Sequence, residues 1–378
     1  MATKKKSTSP TSTFSPPADA PANLEAWRAL YPEPKAQRTI DEIISGLHRA
    51  REDGNSSVLH STFEDEVGVP IKKQPTDAYI WLCQAKSLWL TNVTPFDDVV
   101  LKDVRPLAVF TQLELLEIDT TLDTDLMPLS ALLRLRRLYV RGGERSDWSW
   151  LAALSKLELL QVSASHVGHE KGEPAQTFSV AGHKRLKRFQ WSGHFNDVSH
   201  LGLGPQVEKV ELFGQIADIS TLASVHELKE LNVRGCQVRD ISPLLSLGKL
   251  ECLDISRNRV AALDGIESLK KLSELDANYN CISDLQPYRT MMEEEDQDDV
   301  DEWIERTERT QLKLTIPEAR AVYDDWLNLD KWKALADVLE ANGDPMGGRI
   351  RLRLANDSKS GLPFYWARGT MTRDPSWK

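Results

Sequence analysis

A small group of histidines is the part of this sequence whose residue types could bind a metal ion. With one neighbouring carboxylate, the group comprises His166, His169, Glu170, His183 and His194. Histidine is the commonest metal ligand in proteins, and two histidines three residues apart can share one zinc ion. A common site would, however, require the polar insertion at residues 169–177 to fold back toward the other histidines. We therefore expect no metal ion and no cofactor.

The sequence offers little for catalysis. It contains no Gly-rich phosphate loop, no Gly-x-Ser-x-Gly motif and no His-Glu-x-x-His pair. The cysteines, whose spacing is not that of disulfides or zinc sites, are Cys83, Cys236, Cys252 and Cys281. No cysteine follows Cys281, so the carboxyl-terminal region has no thiol nucleophile. We expect a protein that is not an enzyme, takes no small-molecule substrate and resides in the reducing cytoplasm.

One alternative belongs to a different functional class. In it the chain is an enzyme or effector whose carboxyl-terminal helical domain is catalytic, while the rest of the chain selects the substrate. The acid–base groups would be carboxylates such as Asp324, Asp325 and Glu340. The simpler interpretation places these three side chains on the solvated surfaces of helices.

The negative charge of the chain is concentrated in one run. The 378 residues include 47 Lys and Arg and 57 Asp and Glu, and eight of the acids lie in Glu293–Glu302. Of the net charge of −10, the rest of the chain therefore carries only −2, which argues against a nucleic-acid partner because such proteins need a basic surface. The run lacks the glycine and the ligand spacing of a calcium loop, so we interpret it as a solvated linker. No stretch approaches about 18 consecutive apolar residues, and we expect no membrane contact.

Leucines recur along the chain with a fixed period. Stretches beginning at Leu228, Leu250 and Leu272 lie 22 residues apart and follow the pattern L-x-x-L-x-L-x-x-N/C-x-L. Five further copies bring the total to eight, and they begin at Leu113, Leu135, Leu157, Leu186 and Val207. The copy at Leu157 is stretched to 29 residues by the polar insertion. A degenerate ninth copy is expected to begin near Thr91.

This pattern predicts a stack of coils. The two apolar residues of L-x-L point to one face of a short strand, because strand side chains alternate. Apolar residues at spacing three, such as Leu244, Leu247 and Leu250, suit a 3₁₀ turn on the opposite wall. One coil cannot bury its own apolar side chains, so the copies must stack with their strands in parallel. We predict an α/β solenoid with a curved parallel sheet on its concave face, because the helical wall needs more width.

The repeat pattern resembles that of leucine-rich repeat proteins. It is similar to the short class with 22-residue repeats, found in bacterial internalins and in the leucine-rich regulatory subunit of a protein phosphatase. The resemblance covers about residues 113–288 and implies a scaffold or regulator that binds a protein on its concave face. Residues 321–355 are similar to a small bacterial repeat-companion segment, through Trp326 and the turn Gly343-Asp344-Pro345. This second similarity implies a bacterial, intracellular protein.

Strand residues that alternate with the buried pair must face outward, and we predict that they form the partner-binding surface. The candidates are Arg137, Tyr139, Arg141, Gln161, Arg188, Gln190, Phe213, Arg234, Asp254, Asp276 and Asn278. The middle of this surface is basic and aromatic, which is typical of protein recognition. Its carboxyl-terminal end is acidic.

Five regions are expected along the chain. Residues 1–22 are rich in Ser, Thr, Pro and Lys and are predicted to be a disordered tail, and residues 23–90 are predicted to be a helical cap. The solenoid is predicted over residues 91–290 and an acidic linker over residues 291–302. Residues 303–378 are predicted to form a carboxyl-terminal helical domain, so that small helical domains flank the solenoid.

Overall fold

The described residues fall into two compact units. The computed structural model describes residues 20–53, 79, 82–90, 100–121, 123–142, 147–163, 179–192, 198–214, 216–292, 297–308, 311 and 329–343. The first unit comprises Met1–Glu170 with Phe178–Arg185, and the second comprises Lys171–Thr177 with Leu186–Lys378. The division therefore falls at the polar insertion that lengthens one repeat.

The first unit contains two helices and four described strands. The helices are α1 (Leu24–Leu30) and α2 (Pro34–Asp53). The strands, which pair in parallel in chain order, are β1 (Ser87–Leu90), β2 (Leu115–Asp119), β3 (Arg137–Arg141) and β4 (Leu159–Ser163). The opposite wall is made of 3₁₀ turns at Arg105–Val109, Met127–Ala131 and Trp148–Ala153.

The second unit repeats this construction with five described strands. They are β5 (Arg188–Ser192), β6 (Lys209–Phe213), β7 (Glu230–Asn232), β8 (Cys252–Asp254) and β9 (Glu274–Asp276), again parallel in chain order. Its 3₁₀ turns lie at Ser220–Ser224, Ser242–Ser246 and Ile266–Ser268. Three helices follow the strands, namely α3 (Gln286–Met291), α4 (Gln297–Glu308) and α5 (Leu329–Ala341).

The strand register carries the leucine period into the core. In the second unit Leu231 lies opposite Leu253, and Leu253 lies opposite Leu275. All three side chains are at most 6% exposed. Equivalent leucines of successive copies therefore stack directly, and the predicted α/β solenoid is confirmed.

The helices near the amino end cover the first coil. Trp27 of α1 is fully buried, and its indole N–H donates to the carbonyl of Pro106 at 3.2 Å. The rings of Tyr79 and Phe110 each lie 5.2 Å from Trp27, between ring centroids. The hydroxyl of Thr39 donates to the carbonyl of Asp103 at 2.7 Å. This packing shields an apolar end that a stack of coils would otherwise leave open.

Two predicted boundaries differ from the structure. The first solenoid strand, β1, lies before residue 91 and pairs with β2, inside the region predicted to be cap. Its copy has Ala85 in place of the first leucine and extends over 28 residues to Leu113, which hides the period. At the other end, α4 begins within the stretch predicted to be an acidic linker. The run becomes helical because Val300 and Ile304, four residues apart, are both buried.

Buried amides connect successive coils. The Asn258 side-chain oxygen accepts from the backbone N–H of Val238 at 3.0 Å, and its amide nitrogen donates to the carbonyl of Val233 at 2.8 Å. One period later, Asn280 accepts from Val260 and donates to Ile255, both at 3.0 Å. These amides satisfy backbone groups in the preceding coil, which confirms their predicted structural role.

Gln311 continues this amide ladder from outside the repeats. Its side-chain oxygen accepts from the N–H of Ile282 at 3.0 Å, and its amide nitrogen donates to the carbonyl of Ala277 at 3.1 Å. Ile282 lies 22 residues after Val260, and Ala277 lies 22 residues after Ile255. Gln311 thus supplies to the last coil what an asparagine of a further coil would supply, and it closes the ladder.

Replacing Gln311 with alanine is expected to destabilise the second unit. The change leaves the Ile282 N–H and the Ala277 carbonyl buried without partners, at a cost of about 1–3 kcal/mol of unfolding free energy. Urea unfolding measures this loss, and amide hydrogen exchange at Ile282 should accelerate with it. Gln286→Ala removes the same side chain from an exposed position and is expected to change stability by less than about 0.5 kcal/mol. Equal losses in the two variants would contradict the ladder.

Candidate protein-binding face

The outward side chains of the strands form the candidate surface in each unit. Strand burial alternates in both, with half-buried or exposed residues between fully buried ones, as in the β4 pattern from Leu159 to Ser163 and the β6 pattern from Lys209 to Phe213. Since the backbone of each strand is hydrogen-bonded to its neighbours, these side chains stand on a rigid support. Such a surface can present several contacts at once.

The first unit brings together four of the predicted residues. Arg137 and Arg141 of β3 are exposed, and Tyr139 between them is half-buried and lies opposite Gln161 of β4. Arg141 also donates to the carboxylate of Asp119 at 2.8 Å. The Asp119 side chain is only 6% exposed, so Arg141 has a structural role in neutralising it.

The second unit brings together the remaining predicted residues. Arg188 is exposed on β5, and Phe213 is half-buried at the end of β6. One row of side chains crosses all five strands in register, and it consists of Gln190, Glu211, Asn232, Asp254 and Asp276. Arg234 and Asn278 are half-buried and follow β7 and β9.

The basic middle predicted for the second unit is reduced by ion pairs. The Lys209 ammonium lies 3.1 Å from the carboxylate of Glu211 and 2.7 Å from that of Glu230. The hydrogen bond to Glu230 is the largest cause that raises the pKa of Lys209. Lys209 therefore serves the sheet itself, and Arg188 and Arg234 supply the positive charge of this face.

The acidic end is held by short turns after the strands. Asp254 accepts hydrogen bonds from the N–H and the hydroxyl of Ser256, at 2.8 and 2.6 Å. Asp276 accepts from the N–H and the side-chain amide of Asn278, at 3.0 and 2.7 Å. The two carboxylates lie opposite each other on adjacent strands. Burial, and next the charge of Asp276, raise the pKa of Asp254.

Two helices add a wall that the sequence analysis did not assign to this face. Trp303 of α4 donates its indole N–H to the carbonyl of Leu275 at 3.0 Å, and its ring lies 4.0 Å from that of Tyr288. Together with Arg306 they border a groove of about 530 Å³ over the outer face of β6 to β9. The apolar spacing of Val300, Trp303 and Ile304 would have indicated a helix packed on the solenoid.

The residues considered for metal binding or nucleophilic chemistry have structural environments where they are described. His183 is buried, with its two ring nitrogens 3.2 and 2.9 Å from the carbonyls of Val180 and Leu151. The other histidines of that group, and Glu170, lie outside the described residues. Cys236 is fully buried as expected, its thiol donates to the Leu212 carbonyl at 3.4 Å, and burial raises its pKa to about 12.

Three further searches concern the described part of the chain. It contains no cluster of three or more His, Cys, Asp or Glu side chains arranged to hold a metal ion. None of the helices described there combines the length and the apolar character needed to cross a membrane. Of the alternative acid–base groups, Glu340 is exposed on α5, while Asp324 and Asp325 lie outside the described residues.

Comparison with known proteins agrees with the coil geometry. Residues 249–290 match the family model described as leucine rich repeats, with two copies. The chain folds as a leucine-rich repeat protein. The copies outside the matched stretch share its strand, its 3₁₀ turn and its parallel register, so the same fold extends over both units. No curated protein matches the chain.

Several solved leucine-rich repeat structures are similar to the chain at low identity. An internalin (InlF) from Listeria monocytogenes is 20% identical, with 72% of this chain and 82% of the internalin covered and a TM-score of 0.47. Internalin C2 from the same species is 18% identical, with 70% and 100% covered and a TM-score of 0.43. A plant peptide hormone receptor, RGFR1 in complex with RGF2, is 15% identical, with 47% and 30% covered and a TM-score of 0.35.

The raised pKa of Asp254 has a consequence for stability. A carboxyl group whose pKa is higher in the folded state contributes stability at pH values below its unfolded pKa, and that contribution is lost as the pH rises through the folded pKa. Asp254→Asn removes this loss, so we expect the variant to gain stability relative to the unchanged protein as the pH rises from about 4 to 7. The charged groups acting on Asp254 are Asp276 and Arg234. Thermal melts at several pH values measure the difference.

Asp264→Asn is the control for this experiment, because Asp264 is exposed and lies in the same repeat copy. It should show a pH profile close to that of the unchanged protein. A stability difference for Asp254→Asn that stays constant between pH 4 and 7 would contradict the assigned environment.

Proposed function

We propose that this leucine-rich repeat protein is a non-catalytic protein-interaction module, a scaffold or regulator that binds a protein partner on the outer face of its strands. The observation that carries the proposal is the placement of arginine and aromatic side chains on that face. Arg137 and Arg188 are exposed, and Tyr139 and Phe213 are half-buried, although burial in the core would suit aromatic rings better. Arginine and aromatic residues contribute most to binding in protein interfaces.

The rigidity of the support favours binding over a purely solvating role. Each outward side chain stands on a strand that is paired on its neighbours, so little conformational freedom is lost when a partner docks. The flanking strands also supply polar groups such as Gln161 and Gln190, which can form a polar rim. A module of this kind needs no cofactor.

The cellular location is a further part of the proposal. We place the protein in the cytoplasm of a bacterium, since all four cysteines are thiols and the fully buried Cys236 could not form a disulfide without disrupting a coil. The similarity of residues 321–355 to a bacterial repeat-companion segment supports the same origin. Most of that segment lies outside the described residues, with α5 as the described part.

The proposal is tested by capture of partners with a tagged protein. The variant Arg137→Ala/Arg188→Ala/Phe213→Ala should recover specific partners at least about tenfold less well, because truncating interface arginines and aromatics costs about 2 kcal/mol or more. Arg141 is left intact, because removing it would leave the buried carboxylate of Asp119 without its cation. Quantitative mass spectrometry of the captured proteins measures the change.

The matched control changes three exposed residues on the side away from the strands, Leu133→Ala/Lys156→Ala/Lys270→Ala. It should retain the partners. If both triple variants recover the same partners in the same amounts, the outer strand face is not the binding surface.

A further inference from the structure

The groove between the strands and the carboxyl-terminal helices has a specific chemistry. Its floor is the outer face of β6 to β9, and its far wall is formed by Tyr288, Trp303 and Arg306. The volume of about 530 Å³ lies within the range of roughly 300–1,000 Å³ that is common for ligand sites. The whole groove belongs to the second unit.

The groove is acidic where it meets the helices. Glu211 and Glu230 are neutralised by Lys209, whereas Asp254, Glu274 and Asp276 line the next two strands. Within the described residues, the hydrogen bonds of Asp254 and Asp276 all go to the Oδ1 atoms. The Oδ2 atoms of two adjacent carboxylates are thus left for another donor.

The fold does not require negative charge at these two positions. Asn232 occupies the equivalent place on β7, and its Oδ1 accepts from the N–H of Arg234 at 2.9 Å, just as Asp254 accepts from Ser256. A neutral asparagine therefore makes the same turn. Two carboxylates opposite each other on neighbouring strands repel and cost stability, and burial adds to the cost for Asp254. Since asparagine avoids this cost, the pair of charges must serve something other than the turn.

The aromatic wall complements these carboxylates. Trp303 is half-buried and its indole N–H is held by the Leu275 carbonyl, which fixes the ring at the edge of the groove. A guanidinium group can stack on such a ring while its planar N–H donors reach carboxylate oxygens. The same unit already contains an example, because the Arg257 guanidinium lies over the Tyr279 ring at 5.0 Å from its centroid.

We propose that this groove binds an extended, arginine-containing segment of a partner protein, with an arginine side chain between Trp303 and the carboxylates of Asp254 and Asp276. The proposal rests on the function proposed above and assigns the partner's chemistry at one end of the face. The occupant is argued from charge complementarity. An acidic peptide would meet the three carboxylates of this end, and an apolar peptide would leave them desolvated and unpaired.

The test uses a defined probe and the full chain. The probe is a fluorescein-labelled peptide of nine residues in which arginine alternates with serine, and binding is followed by fluorescence anisotropy. Asp254→Asn/Asp276→Asn should weaken binding at least about tenfold, because charge-assisted hydrogen bonds contribute about 1.5–3 kcal/mol. Asn232 shows that asparagine preserves the turn, and thermal melts confirm that the variant is folded.

The control Asp264→Asn/Glu267→Gln removes the same charge from exposed positions of the 3₁₀ wall. It should bind the probe within about twofold of the unchanged protein, since exposed charges more than a Debye length of about 8–10 Å away are screened. A peptide with glutamate in place of arginine should not bind. Equal weakening in the two double variants would overturn the proposal, and so would spermidine displacing the probe as effectively as unlabelled peptide, which would indicate a polyamine site.

The result separates this inference from the proposed function. Loss of partner capture in Arg137→Ala/Arg188→Ala/Phe213→Ala, together with unchanged probe binding in Asp254→Asn/Asp276→Asn, overturns the groove and retains the interaction module. Unchanged capture in both sets of variants, together with carboxylate-dependent probe binding, retains the groove and overturns the wider face.

Discussion

The stacking of each coil on its neighbour is the interaction on which the rest of this structure depends. A single coil, such as the one that contains Leu231, Val233 and Leu244, exposes its apolar side chains until a second coil covers them. Each fully buried leucine or valine contributes about 1.5–3 kcal/mol, but the contribution exists only when the strands keep their 22-residue register. The amide ladder from Asn258 and Asn280 to Gln311 pins that register, because an amide displaced by one residue would leave buried backbone groups without partners.

The same constraint separates structure from function along each strand. Residues that point inward are restricted to apolar types of suitable volume, whereas residues that point outward are free to take any chemistry the strand tolerates. The outward rows record two uses of that freedom. Lys209 with Glu211 and Glu230, and Arg141 with Asp119, form ion pairs within the sheet. Asp254 and Asp276 do the opposite, because they place like charges side by side where asparagine would make the same turn.

The leucine period is sufficient to predict the solenoid, the eight regular copies and which strand residues face outward, since apolar spacing alone decides these features. It does not reveal β1, because Ala85 replaces a leucine and a long segment separates it from the next copy. Gln311 could not be predicted either, since it takes the position of a ladder asparagine from outside the repeat pattern. Trp303 joins the candidate face only through tertiary packing of α4, whose acidic sequence favours a solvated linker until Val300 and Ile304 are seen to be buried.

The central claim is that the outer strand face contacts a protein in the cell. The most direct measurement places the photo-crosslinking residue p-benzoylphenylalanine at single positions and irradiates living cells. Substitution at Gln190 or Asn232, on the strand face, should yield a discrete crosslinked species that contains a second protein. Substitution at Lys156 or Lys270, exposed on the other side of the coils, should yield none. Crosslinking to the same protein from all four positions, or only from the two lysine positions, would contradict the account.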